Sequence, residues 1–280
     1  MKNNVVLLTG GSSGIGYTTA VKLAQQGHVV YVAARRVEKM EPLKDMGINV
    51  IEMDVTVESS MQAGIDLVMQ EQGRIDVLVN NAGYGYFGAI ETVTMEEARR
   101  QLEVNLFGLA RLSQLVLPIM RKQKQGRIVN ISSVAGRMVL AYGGWYHVSK
   151  YAVEAFSDAL RMEMKPFGID VVLIEPGAIR TNWGIIAADH LAESSQGTPY
   201  QPSADKESQL MKKLYQSNLL SGPTAVTRAI CRAVNARHPR VRYNPGLGAG
   251  MLLFAHAILP ARWWDALNRS AVGHNRRHDR

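Results

Sequence analysis

A glycine turn between a strand and a helix constrains this chain more than any other feature. Residues Thr9-Gly10-Gly11-Ser12-Ser13-Gly14-Ile15-Gly16 follow the apolar run Val5-Val6-Leu7-Leu8 and precede a segment of helical pattern, Tyr17 to Gln26. Glycine lets a backbone turn sharply and pass close to a ligand. A helix N-terminus adds unpaired N–H groups and a partial positive charge. The layout predicts a strand, a turn and a helix opening toward an anion such as a pyrophosphate. Its spacing, Gly-x3-Gly-x-Gly, departs from the common Gly-x-Gly-x-x-Gly fingerprint, so the turn needs support from elsewhere in the chain.

The first half alternates short β-branched runs with longer amphipathic segments, the pattern of a parallel sheet with crossover helices. Strands are expected at Val5–Thr9, Val29–Ala33, Asn49–Met53, Val77–Asn80, Gly126–Ile131 and Asp170–Glu175. Helices are expected at Gly14–Gln26, Val37–Asp45, Glu58–Gln72, Met95–Lys122, Gly144–Pro166 and Thr224–Ala236. The central strands are apolar nearly throughout, as strands covered on both faces must be. The fold class is therefore α/β, a doubly wound parallel sheet in a three-layer α/β/α domain. Ala192 to Ser208 holds Ser194, Ser195, Gln196, Gly197, Pro199 and Pro202 and reads as a mobile polar segment. Gly246, Gly248 and Gly250 read as a flexible turn.

Support for the glycine turn comes from Tyr146-His147-Val148-Ser149-Lys150 and from Asn130-Ile131-Ser132-Ser133. Residues four apart on a helix share a face, so Tyr146 and Lys150 can point into one site while His147 faces elsewhere. Ser133 stands 13 residues before Tyr146, at the end of an expected strand, and Asn105 stands 41 residues before it. A Tyr-x3-Lys pair alone occurs by chance on many helices; the conjunction of all these signals does not. Together they resemble the short-chain dehydrogenase/reductases, in order and at that family's spacing, over about residues 3 to 185.

The resemblance implies a Rossmann-type fold and a tetrad of Asn105, Ser133, Tyr146 and Lys150. Tyr146 would be the acid/base, its phenol lowered from an ordinary pKa of about 10 by Lys150 and a positive nicotinamide. Ser133 would donate to the substrate oxygen, and Ser132 is the weaker candidate for that role. Lys150 would bond the nicotinamide ribose, and Asn105 would position a water for proton relay. The dinucleotide would be held by Gly10, Ser12, Ser13, Gly14, Ile15 and Gly16, by Asp54-Val55 and Asn81-Ala82-Gly83, and by Pro176, Gly177, Ile179 and Thr181. In NAD-preferring members an acidic residue ends the second strand. Here that position is Ala34, followed by Arg35 and Arg36, which suits the 2′-phosphate of NADP(H). The basic residue that some NADP-dependent members carry in the glycine turn is absent, since positions 12 and 13 are both Ser.

Positions expected to line a substrate pocket are Met138, Leu140, Tyr142, Trp145, Tyr84, Phe87 and Trp183. Their apolar and aromatic character favours a hydrophobic ketone or secondary alcohol. Glu175 to Leu191 resembles bacterial members related to the hydroxysteroid and retinol dehydrogenases, which implies a steroid-, retinoid- or lipid-like carbonyl. Other readings stay open: a cofactor-binding redox sensor without turnover, or a nucleotide-sugar epimerase, which the glycine spacing disfavours. The expected organisation is a catalytic domain over about residues 1–242, covered at about 180–222, and a C-terminal extension from 243 to 280. Family members usually assemble as homodimers or homotetramers through two long helices, here around Met95–Lys122 and Gly144–Pro166.

The 280 residues carry one cysteine, Cys231, which excludes an internal disulfide framework. The chain enters its first strand almost at once, and its longest apolar stretch, Leu247 to Leu259, is shorter than the roughly 20 residues of a membrane span. A cytoplasmic protein is the expectation. The net charge of +8 owes much to Arg262, Arg269, Arg276, Arg277 and Arg280. With no recognition motif or aromatic stacking platform beside them, no nucleic-acid partner is expected. Weak attraction to an anionic membrane surface fits the neighbouring apolar segment better. His274 and His278 lack a third ligand, so no metal is expected.

Overall fold

The computed structural model describes residues 3–272. Arg276, Arg277, Arg280, His274 and His278 of the basic C-terminus lie outside them. Seven parallel strands form one sheet in the order β3-β2-β1-β4-β5-β6-β7. They are β1 (Val5–Thr9), β2 (Val29–Ala34), β3 (Asn49–Glu52), β4 (Val77–Asn80), β5 (Gly126–Ile131), β6 (Ile169–Ile174) and β7 (Arg242–Tyr243). Side chains alternate across the pleat, so β1 feeds two cores at once. Val6 and Leu8 pack with Ala20 and Leu23 of α1 (Gly14–Gln25) and with Val226 and Ile230 of α9 (Pro223–Asn235). Val5 and Leu7 face the opposite layer, with Met61 and Ile65 of α3 (Glu58–Gln72) and Leu112, Val116 and Met120 of α5 (Leu109–Gln123). β1 is buried at all five positions, which is why its sequence has no polar alternation.

Four expectations are corrected. The helix expected at Val37–Asp45 is a 3-10 turn, Val37–Lys39, followed by α2 (Glu41–Lys44). Pro42 has no N–H and is tolerated only in a first turn, so the helix restarts just before it. The helix expected at Met95–Lys122 runs as α4 (Met95–Leu102), a π-helical turn at Glu103–Gly108, and α5. By length and composition this run could cross a membrane, but Leu112, Val116 and Met120 bury one face of it in the core.

The segment read as mobile holds the end of α7 (Asn182–Ser194) and the start of α8 (Gln201–Gln216). Apart from Leu191, their buried faces carry small residues, Gly184, Ala187, Ala188 and Ala204, and Ser208 donates to the Ala188 carbonyl at 2.7 Å. Small residues and a serine hide this packing from a hydrophobicity reading. Pro202 again sits in a first turn. Finally, β7 pairs with β6 through only Arg242 and Tyr243, too short a run to be read as a strand. Gly246 and Gly248, both at positive φ, lead into α10 (Ala249–Ile258), which α11 (Ala261–Val272) follows.

Candidate active site

The glycine turn is fixed from two sides. Gly10 has φ +73°, and a Cβ on Gly16 would lie 2.2 Å from the Gly10 carbonyl oxygen. Asn81 Nδ2 donates to the carbonyls of Thr9 and Gly10 at 3.0 and 3.1 Å. The N–H groups of Asn81 and Ala82 donate to Thr9 Oγ1, both at 3.1 Å. The ends of β1 and β4 are thus tied together where the turn begins. Ser13 precedes α1 without a side-chain cap, so the first-turn N–H groups remain available to an anion. This cradle fits the pyrophosphate of a dinucleotide.

Arg35 and Arg36 follow β2 at the same mouth. Arg36 Nη2 donates to Ser12 Oγ at 3.1 Å, which brings a guanidinium to the glycine turn itself. Arg35 Nη1 lies 3.9 Å from Asp54 Oδ2 in an exposed pair. Asp54 is also engaged locally, accepting from the Thr56 N–H and hydroxyl at 2.9 and 2.8 Å.

Across the cleft, β5 delivers Ser132 and Ser133, and α6 (Gly144–Met164) delivers Tyr146 and Lys150. Ser133 Oγ accepts from the Ala135 N–H at 3.1 Å, donates toward the Pro176 carbonyl at 3.3 Å, and bonds the Tyr146 hydroxyl. The Tyr146 ring is buried between Trp183 and Phe87, with centroids 5.0 and 5.7 Å away. Lys150 Nζ donates to the Ile131 carbonyl at 2.8 Å and stands 5.9 Å from the Tyr146 ring centre. Burial lowers the Lys150 ammonium to about 8, against the opposing pull of Glu154.

Burial also raises the Tyr146 phenol well above its ordinary value, and the bond to Ser133 only partly offsets this. The expected lowering is therefore not a property of these side chains alone. They keep the phenol protonated.

Asn105 sits in the π-helical turn between α4 and α5. Its Nδ2 donates to the Tyr84 carbonyl and Ser149 Oγ at 2.9 and 3.0 Å, and its Oδ1 accepts from the Tyr84 N–H at 3.0 Å. It couples the loop after β4 to α6 beside Lys150. His147, expected to face elsewhere, also lines the cleft, with its ring centre 6.2 Å from that of Tyr146, but both its nitrogens are held by backbone groups. Leu140 N–H donates to Nε2 at 3.1 Å, so Nδ1 carries the proton and donates to the Ala135 carbonyl at 2.9 Å.

One cleft of about 960 Å³ joins these parts. All four tetrad positions except Asn105, which stands just behind, line it, and so does every residue expected to hold the dinucleotide, from Gly10 to Thr181. Met138, Leu140, Tyr84, Phe87 and Trp183 line it as expected. Tyr142 does not: its φ of +62° turns the backbone away, and its hydroxyl bonds Ser203. Trp145 is likewise outside the lining.

The sequence reading missed Ile186 of α7, Glu207, Met211, Leu214 and Tyr215 of α8, and Leu252 of α10. The spacing 207, 211, 214 marks one helical face and could have revealed the α8 group. Burial raises the Glu207 carboxyl.

Residues 4–190 match the short chain dehydrogenase family. The chain belongs to the short-chain dehydrogenase/reductase family. It is 38% identical over 248 residues to a 3-ketodihydrosphingosine reductase of Bacteroides thetaiotaomicron, covering 88% of this chain and 89% of that one. It is 35% identical over 277 residues to mouse retinol dehydrogenase 5, covering 94% and 86%. A short-chain dehydrogenase from Streptomyces avermitilis superposes with a TM-score of 0.80 at 31% identity, covering 98% of each chain. Structures sharing the fold hold NADP in some cases and NAD in others, so the cofactor must be read from this chain's own residues.

Behind Tyr146 and Lys150 lies a partly buried charge cluster that joins β7 to α6. Arg242 Nε is 2.8 Å from Oε1 of the fully buried Glu175, and its Nη2 lies 3.2 Å from Glu154 and 2.7 Å from Asp158. Arg137 and Asn244 complete the surroundings of Glu175. Glu154 is one turn beyond Lys150, and burial raises its carboxyl to about 7.

Proposed function

We propose that this protein is an NADP(H)-dependent oxidoreductase that interconverts a hydrophobic ketone and its secondary alcohol. One observation carries the reading: buried Tyr146 and Ser133, with Lys150 beside them, share a cleft with the glycine turn and Arg35 and Arg36. When bound, the dinucleotide supplies the hydride or accepts it. Ser12, Ser13 and Ile15 would hold its pyrophosphate side, and Pro176, Gly177, Ile179 and Thr181 its nicotinamide side. Asp54-Val55 and Asn81-Ala82-Gly83 would flank the adenosine and the ribose.

In the reductive direction, Ser133 and protonated Tyr146 donate to the carbonyl oxygen, and Tyr146 yields its proton as charge develops there. Lys150 stabilises the phenolate left behind. Asn105 holds the Tyr84 backbone and Ser149 around that lysine, which places it to support reprotonation from solvent. The apolar groups at the other end, Met138, Trp183, Ile186, Met211 and Leu214, favour a hydrophobic substrate. The names of two similar chains, a 3-ketodihydrosphingosine reductase and a retinol dehydrogenase, agree with that preference. The same reading includes a homodimer or homotetramer, since Phe107, Val148, Tyr151 and Met162 leave apolar groups exposed near or on the two long helices.

Two results are expected. NADPH should be preferred to NADH in kcat/KM, and the double substitution Arg35→Ala, Arg36→Ala should cost NADPH roughly tenfold to a hundredfold while sparing NADH. A preference for NADH in the unaltered protein would contradict the cofactor assignment. The pH profile of kcat/KM, which reports the free enzyme, should fall as pH rises through about 8, where Lys150 loses its charge. A profile flat across the alkaline range would remove Lys150 from the proposed role.

A further inference from the structure

We infer that the outer face of α10, with Trp263 of α11, is a docking surface for an anionic lipid bilayer. Met251, Phe254 and Ile258 are 75%, 67% and 63% exposed, and their spacing of 3 and 4 places them along one side of the helix; Leu247, 83% exposed, lies in the turn just before it. Single exposed apolar residues need no explanation, but three large ones along one helix face with a fourth in the adjoining turn do.

The opposite side of α10 is fixed. Ala249 and Leu253 pack against Val134, Met138 and Trp264, and Trp264 Nε1 donates to the Val139 carbonyl at 3.0 Å. The turn before the helix is tied to the active-site strand end by Gly177 N–H donating to the Pro245 carbonyl at 3.0 Å. α10 is therefore apolar on both sides, and only one side has a protein partner among the described residues.

Charge selects the occupant. Between Glu207 and Asp265 the sequence contains no acidic residue, and of its eight Lys or Arg, Arg242 and Lys212 are held by carboxylates elsewhere. Arg262 and Trp263, both exposed, follow the stripe directly. An apolar stripe with an adjoining indole and the Arg262 cation, and no carboxylate on α10 itself, suits an anionic lipid surface. Continuity with the cleft points the same way. Leu252 lines the cleft yet remains exposed on α10, as do Ile186 on α7 and Leu214 on α8. The cleft mouth thus opens beside the stripe, so a protein seated on a bilayer would exchange an apolar substrate with the lipid phase rather than with water. The docking surface does not depend on which carbonyl is reduced.

The test uses the full chain and floats it with phosphatidylcholine vesicles, with and without phosphatidylglycerol, at low and high salt. The expected result is co-flotation with phosphatidylglycerol-containing vesicles that weakens with salt and without the anionic lipid. The double substitution Phe254→Asp, Ile258→Asp should reduce partitioning roughly tenfold or more, and Arg262→Glu should reduce it on anionic vesicles only. Both changes lie on exposed positions outside the cleft lining, so turnover of a water-soluble ketone should be unchanged. Absence of flotation, or flotation that survives the double substitution, would overturn the inference. So would sedimentation showing that the stripe joins two copies of this chain, with the double variant monomeric. Flotation needs no turnover, so its failure is distinguishable from failure of the proposed reaction.

Discussion

Replacing Tyr146 by Phe should lower kcat for carbonyl reduction by about 10²–10⁴-fold while leaving NADPH affinity unchanged. The substitution removes only the hydroxyl. The ring keeps its place between Trp183 and Phe87, and Ser133 keeps its bonds to Ala135 and Pro176. The loss of one buried hydrogen bond should cost stability about 1 kcal/mol. Steady-state rates, a cofactor titration and a denaturant melt on the same preparation separate these effects. A variant with near-normal kcat would show that the proton comes from another group.

The second large effect concerns stability. Arg242→Leu should destabilise the fold by about 3–5 kcal/mol, because it removes the cation from between buried carboxylates. Glu175 would retain Arg137 and Asn244, whereas Glu154 would lose its guanidinium. Glu154 is already raised by burial to about 7, and Arg242 opposes that rise. Its folded value lies above its unfolded one, so the stability it contributes is present in acid and is lost as pH rises through about 7. Without Arg242 the carboxyl should be pushed higher still. The deficit of the variant should thus be largest above neutrality and shrink as the pH falls and Glu154 takes up a proton. Denaturant unfolding at mildly acidic and mildly alkaline pH measures this. A deficit that grows in acid would contradict the assignment of charges.

The sequence made the cofactor end of the site legible because its residues answer to local rules. A turn that must pass close to a phosphate needs glycine at Gly10 and Gly16. A proton donor and its lysine, four apart on a helix, share a face whatever surrounds them. The strands were legible because both faces of the sheet are buried, which leaves runs such as Val5–Leu8 without polar interruption.

The substrate end answers to tertiary packing, and there the reading failed in particular ways. α7 and α8 meet through alanines and a serine, which carry little hydrophobic signal. Tyr142 lies between two pocket residues in sequence, yet a positive φ sends its ring to Ser203. The state of Tyr146 follows from how deeply it is buried, a quantity that the spacing of Tyr146 and Lys150 does not contain. α10 reaches the cleft rim at Leu252 because Ala249 and Leu253 pack on Val134, Met138 and Trp264, long-range contacts that local sequence does not encode.

The most direct test of the proposed reaction follows the hydride itself. NADPH carrying deuterium at the transferable ring position would be incubated with a series of hydrophobic ketones, and the alcohols examined by mass spectrometry and NMR. The expected result is a single deuterium on the carbinol carbon with the unaltered protein, and almost none in the same time with Tyr146→Phe. Tight NADPH binding with no deuterium in any product across the series would contradict the reductase and leave a dinucleotide-binding sensor as the better description of this chain.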